Sequence, residues 1–166
     1  EIVLVVLGIM IAISMNNQKE IKRNEQYENK ILKEIKHGLS QDLVDMNLNL
    51  KGHEMGLKSC KFWKGVVYQQ PYNIDSTAYY YQVLLRDFIS VQNTAGYEAL
   101  KSKGLDLVKD DSLRTMITIL YEQDYSVMEN LEERYQETQF YENYFMAINS
   151  VVSPYFIFNE DGKIIL

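Results

Sequence analysis

From Ile2 to Met15 every position except Ser14 is apolar or glycine, and after Glu1 no charge appears before Lys19. As an α-helix, this run rises about 21 Å, which falls short of the roughly 30 Å hydrocarbon core of a bilayer. The chain opens at Glu1 rather than Met, so upstream residues are expected to complete a single membrane span. A cleaved signal peptide ending near Ala12-Ile13-Ser14 and a buried core helix are the alternatives. Lys19 to Lys36 then mixes both signs of charge with Ile21, Tyr27, Ile31, Leu32 and Ile35, and no Pro or Gly interrupts it before Gly38. The span is therefore expected to run out of the membrane as unbroken helix.

Beyond Gly38 the apolar positions step alternately by four and three: Leu39, Leu43, Met46, Leu50, His53, Leu57, Cys60. Such spacing predicts a long helix packed lengthwise on others, ending near Tyr68 because Pro71 follows closely. Asp75-Ser76-Thr77 offers caps for a short helix through Tyr79, Tyr80, Tyr81, Leu84, Leu85 and Phe88. Asn93 or Thr94 caps a second, Ala95–Lys103, closed by Gly104 at a left-handed C′ position. Asp110-Asp111-Ser112 opens a second long helix, with Leu113, Ile117, Leu120, Val127, Leu131, Tyr141, Phe145 and Ile148 on one face and Ser153-Pro154 as its stop. The expected seam is carried by Leu50, Leu57, Leu120 and Leu131. Tyr155–Phe158, Asn159–Gly162 and Lys163–Leu166 read as a short β-hairpin. The fold class is thus mostly α: a transmembrane helix over 1–17 and an elongated antiparallel bundle of two long and two short helices over 18–152. The C-terminal hairpin or tail occupies 153–166.

Charge and chemistry narrow the function more than they define it. The net charge of −6 argues against nucleic acid as a partner. Cys60 is the chain's one cysteine, so neither an internal disulfide nor a thiolate metal cluster can form within one chain. Lys58, Lys61 and Lys64 make the end of the first long helix basic, whereas Glu122, Asp124, Glu129, Glu132, Glu133, Glu137 and Glu142 make the second acidic. Zinc-protease, nucleophile-elbow, Walker and dinucleotide-binding motifs are all missing from the sequence. His53 and Cys60 share a helix face two turns apart, about 10 Å, too far for a nucleophile and its base. Asn159-Glu160-Asp161-Gly162 has no later Glu to complete a calcium loop. Lys58–Lys64, with Phe62 and Trp63, is expected to form a folded aromatic corner. No catalytic activity, cofactor or metal is expected.

Two stretches, Glu1–Asn17 and Asn93-Thr-Ala-Gly-Tyr-Glu-Ala-Leu-Lys-Ser-Lys-Gly104 with its continuation to Arg114, resemble an uncharacterised family of small single-span membrane proteins from Bacteroidota. Gln18 departs from the pattern, where an aromatic residue is expected after Asn16-Asn17. The resemblance implies an upstream basic segment, which would hold the N-terminus in the cytoplasm and send the helical domain to the periplasm. Lys19, Lys22, Arg23, Lys30, Lys33 and Lys36, which follow the span, lean the opposite way. Within the span, Glu1, Val5, Gly8, Ala12 and Met15 share one face, and its small residues admit a close neighbour. The expected function is that of a membrane-anchored interaction or accessory subunit of an inner-membrane complex. Its partner would be a membrane protein or a second copy, held through the span and the bundle. A periplasmic sensory or ligand-binding bundle is the alternative.

Overall fold

Helix α1 runs without interruption from Ile2 to Val67. A computed structural model describes residues 2–155, 157–160 and 164–165 of the chain. The stretch free of Pro and Gly from Ile9 to His37 lets this helix run on from its apolar start, and local chemistry explains its end. Gln69 takes φ of 57°, Gln69 N–H donates to the Val66 carbonyl, and Gln70 N–H donates to the Gly65 carbonyl. These two bonds form a Schellman closure, completed just before Pro71. Helix α2 (Thr77–Leu84), α3 (Ala95–Lys103) and α4 (Asp111–Ile119) follow. Asp110 caps α4, its side chain accepting from Leu113 N–H at 2.9 Å.

The contacts divide the chain into two units. The first comprises residues 1–41 and 92–125. Its core gathers Ile31 and Ile35 of α1, Tyr97 and Leu100 of α3, Val108, and Ile117, Tyr121 and Tyr125. Gly96 is buried directly against α1: a Cβ there would lie 2.8 Å from the Ile35 backbone nitrogen. Outside this core, Lys109 N–H donates to Glu28 Oε1 at 2.9 Å, and Asn93 Nδ2 donates to Gln41 Oε1 at 3.1 Å.

The second unit comprises residues 42–91 and 126–166. Here α1 presents small and polar residues to its neighbours. Gly52 receives the ring of Phe88, Ser59 Oγ donates to the Tyr80 carbonyl, and Asn49 Nδ2 donates to the Ile89 carbonyl at 3.1 Å. Asp45 accepts from Val91 N–H at 2.9 Å. An aromatic corner forms as expected at the end of α1, with Phe62 stacked on Tyr80 at 4.5 Å and edge-on to Trp63 at 5.4 Å.

The expected fold class needs correction. One helix of 66 residues carries both the anchor and the first bundle helix, unbroken as expected, so the helix count differs from the expected one. The second long helix is not continuous: wide π-helical turns at Leu120–Asp124, Asn130–Arg134 and Tyr141–Phe145 alternate with α5 (Tyr125–Glu129) and α6 (Met146–Val152). At Tyr135 the backbone is extended, with ψ of 126°. Neither Pro nor Gly causes that break. Glu129, Glu133 and Glu137 stand four apart in sequence, and like charges at this spacing weaken helix. Asn143 Nδ2 donates to the Gln136 carbonyl and Thr138 Oγ1 to the Tyr135 carbonyl, which satisfies backbone groups released there. The C-terminal β-hairpin is not supported. Ser153–Tyr155 forms a 3-10 turn, and among the described residues Ile157 pairs with Ile165 and Phe158 with Ile164. The expected turn residues Asp161 and Gly162 lie outside the described residues.

Candidate functional site

Three places merit a functional reading, and the first is the apolar end of α1. Its large side chains from Ile2 to Met15 are all exposed, from Val6 at 48% to Ile2 at 81%. Val5, Gly8, Ala12 and Met15 of the expected packing face are among these exposed positions, and Glu1 lies outside the described residues. By length and composition this end of the helix could cross a membrane.

A polar cluster in the first unit is the second place. Tyr97 and Tyr121 stack face to face, 4.6 Å apart and 2° from parallel. Glu122 Oε1 accepts from the Tyr97 hydroxyl and from Lys101 Nζ, each at 2.9 Å. Those donors hold the Glu122 carboxyl below the usual carboxylate value, Lys101 first and Tyr97 second. Lys101 is raised in return, chiefly by its hydrogen bond to Glu122. Burial pushes the Tyr97 phenol up, and its bond to Glu122 adds to that. The Tyr121 hydroxyl donates outside the cluster, to the Asn93 carbonyl at 3.4 Å, and the bonds to Glu122 tie α3 to the turn after α4.

The third place is a groove in the second unit, about 670 Å³ in volume. One wall is α1, through His53, Gly56, Leu57 and Cys60. A second is the end of α2 and its following loop, through Val83, Leu84 and Phe88, with Arg86 and Asp87. Glu137, Thr138, Phe140, Tyr144 and Ile148 form the third. The His53 ring stands edge-on to Phe88 at 5.8 Å. Gly56 borders open space in the groove: a Cβ there would meet nothing within 4 Å. A smaller groove of about 310 Å³ shares Asp87 and Phe140 with it and adds Glu132, Glu133 and Glu142.

Of the seam leucines, Leu50 is 58% exposed, Leu57 63% and Leu131 47%, while Leu120 is half-buried. They form no seam within the chain, because the packed face of α1 lies one position away, through Asp42, Asn49, Gly52 and Ser59. His53 and Cys60 do line one groove, as their shared face implied. The α2-loop and 137–148 walls went unread, since nothing local in the sequence brings three distant stretches together. Among the described residues, no group of three or more His, Cys, Asp or Glu side chains is placed to hold a metal ion.

A model of a family of unknown function, DUF6090, matches residues 1–153. The chain belongs to this family. No curated protein and no solved structure matches this DUF6090 member. The family assignment bears out the resemblance to an uncharacterised family, while the groove and the exposed helix end are what its structure offers a functional reading.

Proposed function

We propose that the chain is a membrane-anchored helical interaction subunit without catalytic activity of its own. Residues 2–15 would sit in the inner membrane as part of a single span, with the helical region after Asn17 in the periplasm. The observation that carries this reading is the exposure of the whole Ile2–Met15 surface. An apolar surface of that extent is costly in water, at about 25 cal/mol per Å², and lipid removes the cost. Unbroken helix from Ile2 to Val67 joins the anchor to the extramembrane part without a hinge. Within the span, the Glu1, Val5, Gly8, Ala12 and Met15 face is the proposed contact with a partner's membrane helix or a second copy.

Two measurements on native membranes test the proposal. Alkaline carbonate should leave the chain in the membrane pellet, and an impermeant thiol reagent should label the exposed Cys60 from the periplasmic side. Release by carbonate refutes the anchor, and labelling only from the cytoplasmic side refutes the orientation. Purification in gentle detergent should recover a complex of fixed stoichiometry that Gly8→Leu disrupts. A monomer recovered alone from both parent and variant refutes the interaction role.

A further inference from the structure

We propose that the groove between α1, the α2 loop and residues 137–148 binds a small organic cation with an apolar body. Its volume, about 670 Å³, lies within the roughly 300–1,000 Å³ common for small-molecule sites. Leu57, Val83, Leu84 and Ile148 give it an apolar interior, and Phe88, Phe140 and Tyr144 add aromatic rings. Such rings attract a cation through their negative faces.

Charge selects the occupant. Asp87 and Glu137 line the groove, and Glu132, Glu133 and Glu142 line the smaller one that shares Asp87 and Phe140. Arg86 is the one Lys or Arg among the residues lining the two grooves, with His53 as a further basic side chain in the first. Of the five carboxylates, Glu132 is engaged, accepting from Ser90 N–H at 3.1 Å and Ser90 Oγ at 3.2 Å. An anionic headgroup would face this excess of carboxylates unfavourably, which disfavours a fatty acid or phospholipid. A neutral apolar molecule would leave the carboxylates without a partner. A groove lined by aliphatic side chains, aromatic rings and carboxylates fits a hydrophobic amine or a quaternary onium ion.

Tetraphenylphosphonium and tetraphenylborate, alike in shape and opposite in charge, provide the test. The full chain is placed in zwitterionic lipid nanodiscs, and the rate of Cys60 alkylation by iodoacetamide is followed, since Cys60 lines the groove. Tetraphenylphosphonium at ten times its dissociation constant should slow alkylation about tenfold, by mass action. It should bind roughly tenfold more tightly than tetraphenylborate. Gly56→Leu fills open space at the groove wall and should abolish protection while helicity by circular dichroism is kept. The double variant Asp87→Asn/Glu137→Gln, which neutralises the two carboxylates lining the groove, should keep protection but lose the preference for the cation. The proposal is overturned by equal protection from both ions in the parent, by protection that survives Gly56→Leu, or by an unchanged preference in the double variant. An unchanged alkylation rate with tetraphenylphosphonium overturns it as well.

Discussion

Gly96→Ala sets helix propensity against packing, and the structure decides which wins. Alanine in a helix interior is favoured over glycine by about 1 kcal/mol. At position 96, however, the added Cβ would stand 2.8 Å from the Ile35 nitrogen, 2.9 Å from Ile35 Cγ1 and 3.1 Å from Ile35 Cα. Two of those atoms are backbone of α1 and cannot rotate away, so α3 must retreat by several tenths of an ångström. That retreat loosens Tyr97 and Leu100, which are 3% and 0% exposed. Overpacking of this kind costs about 1–3 kcal/mol, leaving a net loss near 1 kcal/mol after the propensity gain. Gly56→Ala is the control: its Cβ meets nothing, and it should gain about 0.5–1 kcal/mol. Thermal melts in one detergent, followed by far-ultraviolet circular dichroism, should place Gly96→Ala below the parent and Gly56→Ala above it. The separation should be roughly 3–8 °C, at about 2–4 °C per kcal/mol for a chain of this size. A Gly96→Ala protein that melts at or above the parent would refute the close approach of α3 to Ile35.

Leu100→Ala removes a fully buried side chain and should cost about 2–5 kcal/mol, whereas Leu50→Asp, on an exposed position, should stay within about 0.5 kcal/mol in chemical denaturation. Gly104 combines φ of 101° with ψ of 131°, away from the left-handed helical basin where Asn is tolerated, so Gly104→Asn and Gly104→Val should both lower the melting temperature. A Gly104→Asn melt that overlays the parent would refute that reading. For the Glu122 cluster, a lowered carboxyl value means its contribution is in force above the ordinary 4.5 and fades as pH falls through the lowered folded value. Lys101, raised from 10.5, contributes below that value and fades as pH rises through its folded one. Glu122→Gln should therefore flatten both limbs of the urea-midpoint profile against pH, and an unchanged acid limb would count against the cluster.

The elements of this fold are more legible in the sequence than the faces they bury. Ala95–Lys103 follows from its flanking residues, the Asp110 cap from the acids after Lys109, and the end of α1 from Pro71. These signals are local, and each acts through a backbone bond a few residues away. Burial in the second unit obeys another requirement. The partners of α1 there are loop carbonyls, loop amides and large rings, so the helix needs residues that are small or that hydrogen-bond. Gly52 fits beneath Phe88, Ser59 donates to Tyr80, and Asp45 and Asn49 satisfy Val91 and Ile89. A reading that ranks positions by apolar size must choose Leu50 and Leu57 instead, one position away on the helix. The break at Tyr135 likewise has no Pro or Gly to announce it. Leu43, Leu50 and Leu57 keep a seven-residue spacing while lying outside the chain's own core. In this chain, therefore, heptad regularity records the helical period of α1 but not the face that it buries.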